Sequence, residues 1–309
     1  MEKKIKLLID TDIGDDIDDA LALALALKMP EVEPVGVTTV FADTNIRARE
    51  AMKLLTYAGI SVPVYAGMPG KNGFSRCGFS QYEEDLEDEA YTPCNDASKD
   101  GGSAAVRFIA DCARKYGSEL IIVGIGAMTN IAAAFELDPA AMRSVGKISL
   151  MCGSFYKAVN EWNVLCDARA AETVLESGLP VECYGLDVTI RTGLTGPQYK
   201  RILHYSGNDK LLKYLAVLTR KWHDFTGNLP MLHDPLALFN AVRPGYVFME
   251  PQSVKVITEG EFEGVILNRD RNLTYFGDKA DLPRINVAKD VRERDFLDEF
   301  FSILYKEEV

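Results

Sequence analysis

The sequence predicts an α/β fold: a single large, open and mainly parallel sheet of the Rossmann-like kind, with helices on both faces. Short, continuously apolar runs alternate with helical runs along most of the chain, which is typical of buried parallel strands joined by crossover helices. The 309 residues show no internal repeat, low-complexity tract or convincing linker. We therefore expect one domain over residues 1–309.

The predicted elements follow one another in a β–α rhythm. Apolar runs predict strands at residues 4–10, 34–40, 62–67, 119–124, 147–153 and 179–188. Helical patterns lie at 18–29, 45–58, 103–116, from Thr129 onward, at 168–177 and over 196–225. After Arg243, the runs YVFMEPQSVKVIT, EGVILN and NLTYFG predict a small C-terminal β extension, before a last helix near 293–305.

One long segment interrupts this rhythm. Residues 68–102 lack clear periodicity and are rich in Gly, Ser, Asn and acidic residues. Loops of this length are usually active-site lids or partly disordered insertions, so both interpretations stand, and we expect the lid.

Composition excludes several classes of function. The net charge is −12 and the pI is near 4.9, which disfavours nucleic acid polymers and anionic membranes as partners. No apolar stretch is long enough to span a bilayer, and the start MEKKIKLLID lacks the features of a signal peptide. Because the six cysteines contain no CxxC pair and several fall in predicted helices or strands, we expect reduced thiols and a cytoplasmic protein.

The segment DTDIGDDIDDA, which begins at Asp10, joins the first predicted strand to the first helix. It places six aspartates within ten positions, and helix capping accounts for only one or two of them. Two carboxylates about 4 Å apart repel by a few kcal/mol at an intermediate dielectric, so such a group needs protons or a cation. Carboxylate oxygens suit Ca²⁺ or Mg²⁺ better than Zn²⁺. The segment therefore predicts a metal site.

Other polar residues also follow predicted strands, at the edge where parallel sheets bind their ligands. Asp43 follows TTVFA, whereas Glu161 and Asn163 follow KISLMCG and a short loop. In HDPLA, Pro235 at a helix start predicts Asp234 as the N-cap, and His233 is a candidate proton donor near neutral pH.

Two alternatives remain open at this point. An apolar strand ending in D-x-D also begins the haloacid-dehalogenase-like phosphotransferases, whose motif continues DxDx[TV], but Gly14 occupies the Thr/Val position here. A non-catalytic module that binds a small ligand with the same residues, without turnover, is the second alternative.

Several motifs together resemble the nucleoside hydrolases. DTDIGDDIDDALALA resembles the family's DTDPGxDDAxAL signature, and GAMTNIA (126–132) its GPLTNIA. EWN (161–163) resembles its EFN, and HDPLA (233–237) its HDP motif. The resemblance implies a calcium-dependent enzyme that hydrolyses ribonucleosides to free base and ribose, on the predicted fold and as a homodimer or homotetramer. It also specifies the second alternative as a non-catalytic ribose- or nucleoside-binding module.

The matched positions carry implied roles. By this resemblance, Asp12 is the general base and a calcium ligand, and His233 assists the leaving base. The other calcium ligands are Asp19, Asp234 and the main-chain carbonyl of Ile125, and the ribose-binding residues are Asp18, Asp43, Glu161 and Asn163.

Three departures from the family pattern leave the substrate open between purine and pyrimidine nucleosides. The signature contains two extra residues, Asp15 and Asp16, and Ile13 replaces its proline. The Gly-Asn that usually precedes the ribose-binding segment is missing, and Asn160 is a candidate replacement. Candidates for stacking on the base, each with core or surface packing as its simpler role, are Phe155, Tyr156, Trp162, Tyr82 and Tyr91.

Overall fold

A large twisted sheet organises the protein. The computed structural model describes residues 4–70, 89–270 and 283–305. The strands in these ranges are β1 (Ile5–Thr11), β2 (Val32–Thr39), β3 (Val64–Ala66), β4 (Leu120–Gly124), β5 (Lys147–Met151), β6 (Val181–Tyr184), β7 (Val247–Gln252), β8 (Val254–Val256), β9 (Ile266–Asn268) and β10 (Ile285–Val291).

Helices cover the sheet between successive strands. They are α1 (Asp18–Lys28), α2 (Thr44–Ala58), α3 (Ala97–Asp100), α4 (Ser103–Tyr116), α5 (Thr129–Leu137), α6 (Pro139–Ser144), α7 (Trp162–Cys166), α8 (Ala168–Leu175), α9 (Leu186–Thr189), α10 (Gly196–Leu203), α11 (Lys210–Thr226), α12 (His233–Val242) and α13 (Glu293–Leu304). Short 3₁₀ turns lie at Glu89–Tyr91 and Gly117–Glu119.

The strand order is β3-β2-β1-β4-β5-β6-β10-β7. Every pairing in this sheet is parallel except that of β10 with β7, so the predicted mainly parallel α/β architecture is confirmed. Strand order reverses at β1, and β4 lies on its other side; such a switch point opens a crevice beyond the carboxyl ends of the strands. The aspartate segment directly follows β1.

Helix α1 explains why its sequence alternates Ala and Leu. Ala and Leu have high helix propensity, and the two acids of its first turn and Lys28 in its last turn complement the helix dipole. Residues 18–26 are all buried, as expected for a helix that is apolar on every side. Within the described ranges, no helix combines the length and the apolar character needed to cross a membrane.

The sequence-based boundaries were wrong in two places. The run 179–188 is a strand only over Val181–Tyr184, because Gly185 ends it and the short helix α9 follows. The C-terminal β structure is more than an extension, since β10 pairs with β6 and carries β7 into the main sheet. The sequence reasoning missed strand β10, and among the described residues β8 and β9 form a separate two-stranded sheet.

The predicted lid falls partly outside the described residues. Of 68–102, residues 71–88 are not described, and neither is the run NLTYFG. Hydrogen bonds attach residues 89–102 to β3 and α2. The Asn95 side chain accepts the N–H of Ala66 and donates to its carbonyl, and the Asn45 amide of α2 donates to the Asp96 carboxylate.

Candidate active site

Four chain segments bring acidic, amide or imidazole side chains to the carboxyl edge of the sheet: the turn after β1, the start of α1, the loop after β5 with α7, and the start of α12. With the turn after β4, the start of α9 and the end of α11, they line a cavity of about 610 Å³, a size typical of small-molecule sites. Its lining residues are Asp12, Asp15, Asp16, Asp18, Asp19, Ile125, Met151, Glu161, Trp162, Asn163, Leu186, Trp222, Phe225, Thr226, Asn228, His233 and Asp234.

Three carboxylates form the centre of this cavity floor. Asp18, Asp19 and Asp234 each offer an oxygen, and these oxygens lie within 4.8 Å of one another. All three residues are buried. Desolvation raises the pKa of Asp18 to about 6 and holds the pKa values of Asp19 and Asp234 well above the usual range, with neighbouring carboxylates adding to the rise for the latter two.

Hydrogen bonds fix the carboxylates of Asp18 and Asp19 and the main chain of Asp234. The Thr11 hydroxyl donates to Asp19 Oδ1 at 2.5 Å, and Asp18 Oδ2 accepts the N–H of Asp234 at 3.1 Å. The sequence-based prediction that Asp234 caps α12 was wrong. The helix begins at His233, two residues before the predicted start at Pro235, and the Asp18 carboxylate accepts the N–H of Asp234. This arrangement places the Asp234 carboxylate in the first turn, beside the start of α1.

Asp12 lies beside this group and is also buried. Desolvation raises its pKa to about 8, and the charge of Arg47 opposes the rise. Gly126 contacts it so closely that a β-carbon there would lie 2.8 Å from the Asp12 nitrogen and 2.9 Å from its Oδ1. The glycine of GAMTN is therefore required sterically by the position of Asp12.

Asp10, near the end of β1, is buried next to the site and does not line the cavity. Its Oδ1 accepts hydrogen bonds from the Thr38 hydroxyl at 2.5 Å and from the Asn130 amide at 2.8 Å. Burial raises its pKa to about 7. The Asp10 carbonyl accepts the N–H of Ile125 at 2.8 Å, so β1 also fixes the turn after β4.

The EWN segment follows β5 by way of a short loop. The Glu161 carboxylate caps α7 by accepting the N–H groups of Asn163 and Val164, and it also accepts the N–H of Gly153. The Asn163 amide donates to the carbonyls of Ile125 at 3.3 Å and Met151 at 3.0 Å. These two side chains thus line the cavity in orientations fixed by the main chain.

His233 faces the cavity from the other wall. Its Nδ1 lies 2.7 Å from the hydroxyl of Thr189 at the end of α9, which leaves Nε2 as the nitrogen available to a ligand. Burial lowers the pKa of His233, whereas the negative charge of Asp16 raises it. Asp16 lines the same cavity.

Two sequence candidates lie apart from the cavity. Asp43 is exposed, and its carboxylate caps α2 by accepting the N–H groups of Asn45 and Ile46, both at 3.1 Å. Asn160 is exposed and is not one of the described residues that line the cavity. Its position therefore does not support it as the replacement for the family's Gly-Asn in ribose binding. We leave both out of the site.

The aromatic wall was largely missed by sequence reasoning. Of the candidates proposed for stacking, Trp162 lines the cavity, Phe155, Tyr156 and Tyr91 do not, and Tyr82 is outside the described residues. Trp222 and Phe225 at the end of α11 supply further aromatic surface, followed by Asn228. The amphipathic pattern of α11 concealed them, although two aromatic residues in the last five positions before the Gly227 helix stop were an available signal.

The donor set fits a hard divalent cation. The cluster of Asp18, Asp19 and Asp234 offers carboxylate oxygens alone, and Ile125, whose carbonyl accepts a hydrogen bond from Asn163, lines the same cavity. Oxygen-only ligands favour Ca²⁺ or Mg²⁺. A cation would also relieve the repulsion that raises the pKa values of Asp19 and Asp234.

Comparisons with known proteins agree with this geometry. Residues 7–298 match the model of the family described as inosine-uridine preferring nucleoside hydrolase. The chain is similar to uridine nucleosidase 1 of Arabidopsis thaliana, with 31% identity over 272 residues, or 84% of this chain and 80% of the relative. It is also similar to the pyrimidine-specific ribonucleoside hydrolase RihB of Escherichia coli, with 30% identity over 203 residues, 63% of each chain.

Solved structures extend the similarity to the whole fold. A plant nucleoside hydrolase, the PpNRh1 enzyme, superposes with a TM-score of 0.85 at 25% identity and covers 98% of this chain and 99% of its own. A purine-preferring ribonucleoside hydrolase from Gardnerella vaginalis gives a TM-score of 0.81 at 30% identity, covering 97% and 98%.

Proposed function

The chain belongs to the inosine-uridine preferring nucleoside hydrolase family, and we propose that it is a calcium-dependent ribonucleoside hydrolase releasing free base and ribose. Family membership makes it an N-glycosyl hydrolase; the ion, the substrate and the residue roles are our proposal. The observation that carries it is the buried group of Asp18, Asp19 and Asp234 beside Asp12, in one cavity at the carboxyl edge of the sheet.

We assign the cation to Asp12, Asp19, Asp234 and the Ile125 carbonyl, with Asp18 at its border. When bound, Ca²⁺ supplies positive charge that lowers the pKa of water and offsets the charge of the acids. Asp18 also belongs to the three-acid group, although the family resemblance implies that it binds the ribose. The two roles are compatible, because a carboxylate has two oxygens and Asp18 has committed one to the N–H of Asp234.

Asp12 acts as the general base. Hydrolysis joins a water oxygen to C1′ of the ribose and breaks the bond from C1′ to the base nitrogen. Asp12 takes the proton from that water, and its burial beside Gly126 fixes the carboxylate in the cavity. Positive charge that develops on the sugar is stabilised by the surrounding carboxylates.

The ribose is held by Asp18, Glu161 and Asn163. The orientations of Glu161 and Asn163 are set by bonds to main-chain groups, so their positions are prepared before substrate binds. Because these side chains are already oriented before the substrate binds, less entropy is lost on reaching the transition state, which accelerates the reaction.

His233 completes the reaction at the leaving group. Its Nε2 donates a proton or a hydrogen bond to the departing base, while Thr189 holds Nδ1. Trp162, Trp222 and Phe225 offer aromatic surface on which the base can stack, and the exposed ring of Phe225 gains most from being covered. Printed names of similar proteins include uridine, pyrimidine and purine substrates, so both classes of base belong in the test.

The test incubates the purified protein with uridine, inosine and p-nitrophenyl riboside and measures released ribose. We expect release that stops after chelation and returns with Ca²⁺. Phosphate release from a phosphoester, without ribose release from any nucleoside, would instead favour the D-x-D phosphotransferase. Tight nucleoside binding without turnover would leave a binding module.

We extend the proposal to assembly and location: a cytoplasmic homodimer or homotetramer. The family resemblance supports the assembly, and the five described cysteines, which are all free, support a reducing compartment. Light scattering coupled to gel filtration measures the assembly directly, and a monomer at micromolar concentration would contradict it.

A further inference from the structure

The buried side chain of Arg47, on α2, reaches the turn that carries Asp12. The side chain is 3% exposed. Its Nε donates to the carbonyl of Phe41 at 2.8 Å, and its Nη1 to the carbonyls of Asp12 and of Ile13, the latter at 2.8 Å. Its Nη2 donates to the carboxylate of Asp15 at 2.9 Å. One guanidinium therefore joins the turn after β1 to the turn after β2.

The second turn is itself strained. Phe41 and Ala42 have φ values of 68° and 56°, in the left-handed region that side chains other than glycine rarely adopt. Such a residue persists only where the surroundings hold it in place. The bond from Arg47 to the Phe41 carbonyl is one such restraint, so the strained turn and the Asp12 turn depend on the same side chain.

Arg47 contacts the main chain of Asp12 and not a substrate position. Two of its acceptors are consecutive carbonyls, at Asp12 and Ile13, and fixing them sets the direction in which the Asp12 side chain leaves the backbone. Only an arginine has five donors in a rigid plane that can serve several acceptors at once, whereas a lysine presents one charged nitrogen. A permanent positive charge behind the turn also reduces the repulsion among the acids.

We propose that Arg47 and Asp15 form a clasp that positions Asp12 and the neighbouring acids for cation binding and catalysis, which gives the first of the two inserted residues its role. This inference rests on the proposed function. Asp15 retains the guanidinium at the turn, and its side chain is only 17% exposed. Arg47 is a positioning residue, because it acts through the backbone of Asp12.

The test compares Arg47→Lys with Arg243→Lys as a matched control. Arg243, just after α12, is another structural arginine with several acceptors, bonding Glu31 and Glu299 away from the cavity. Calcium affinity is measured by titration calorimetry on metal-depleted protein, and kcat and KM are measured separately. We expect Arg47→Lys to weaken Ca²⁺ binding about 10- to 100-fold and to lower kcat similarly with little change in KM. Arg243→Lys changes the melting temperature alone.

Asp15→Asn provides a milder variant if Arg47→Lys fails to fold. It preserves shape and removes the charge, and we expect a loss of Ca²⁺ affinity of about 10-fold. Combined with Arg47→Lys, it adds less than its separate effect, because both act through one clasp.

Unchanged Ca²⁺ affinity and unchanged kcat in a folded Arg47→Lys or Asp15→Asn protein would overturn the clasp. The failure of the proposed function is distinct: a wild-type protein that binds Ca²⁺ but releases no ribose rejects that function, and the ion affinities still judge the clasp. A wild-type protein that does not bind Ca²⁺ would overturn both.

Discussion

The acids of this chain occupy two contrasting environments. On the outer surface, Lys289 with Tyr156 lowers the pKa of Glu250 to about 2, Arg191 lowers that of Asp290, and Arg243 lowers that of Glu31. At the carboxyl edge of the sheet the shift has the opposite sign: burial raises the pKa of Asp12 to about 8.

The difference lies in the available counter-charge. Each surface acid has a basic partner in contact, whereas Asp18, Asp19 and Asp234 have mainly one another and main-chain N–H groups. Buried like charges are unfavourable unless they are protonated or bind a cation. The buried carboxylates of the cavity therefore need a bound cation or protons to balance their charge. The surface acids do not, because basic side chains already balance theirs.

The largest expected effect comes from Asp12→Asn. We expect ribose release to fall by about 10⁴-fold, because the base that takes the proton from water is lost. The melting temperature of the metal-free protein should hold or rise, because one member of the repelling cluster becomes neutral. A loss of activity accompanied by unfolding in circular dichroism would point to a structural role instead.

His233→Ala should lower kcat/KM for inosine by about 100-fold. With p-nitrophenyl riboside, whose leaving group needs no proton, the loss should be far smaller. Parallel assays on the two substrates measure this selectivity. Equal losses on both would remove the leaving-group role from His233.

Thr189→Val tests how His233 is held. Valine keeps the shape of threonine but removes the oxygen that lies 2.7 Å from His233 Nδ1. We expect about a 10-fold loss in kcat/KM for inosine, and again a smaller loss for the activated riboside. Thr192→Val, which removes a buried hydroxyl bonded to the carbonyls of Thr189 and Leu232, is the control for stability alone.

Calcium should stabilise the protein more at high pH than at low pH. Since the folded pKa values of Asp12 and Asp18, about 8 and about 6, exceed the ordinary value of 3.8, these groups bind more protons when folded. Metal-free stability therefore falls as pH rises from about 4 to about 8. We expect the Ca²⁺-induced increase in melting temperature to be about 4 °C larger at pH 8 than at pH 5.5; equal increases would contradict the electrostatic account.

Glu250→Gln should have the smallest effect. Its carboxylate is paired with Lys289 at 2.5 Å on a partly exposed surface, and such pairs contribute less than about 1 kcal/mol. Urea denaturation measures that change, and ribose release should remain at the wild-type level. A large loss of activity would mean that the two groups of acids are less separate than their environments indicate.

Sequence reasoning predicted the parts of the molecule that local patterns specify. The apolar run of β1 and the Ala/Leu repeat of α1 predicted the centre of the fold, and the strand-end positions of Asp12 and Glu161 predicted the edge where they lie. Strand β10 was missed because its exposed, charged residues interrupt the apolar pattern, and only pairing with β6 and β7 makes it a strand.

The rest of the site depends on tertiary contacts that spacing does not reveal. Asp43 follows a strand like the other candidates, but it caps its own helix instead of facing the cavity. Arg47 is four residues further along and looks like an ordinary charged position on an amphipathic helix. Its role becomes visible only when α2 is packed against the Asp12 turn.

The central claim is that the buried aspartates form one cation site that serves hydrolysis. The most direct measurement titrates Ca²⁺ into metal-depleted protein while following both bound ion and ribose released from uridine or inosine. We expect one ion per chain, bound by Asp12, Asp19, Asp234 and the Ile125 carbonyl with Asp18 at its border. Activity should rise in proportion to occupancy, and both ion binding and activity should be lost in Asp234→Asn. Full ribose release from the metal-depleted protein, or Ca²⁺ binding that leaves activity unchanged, would contradict it.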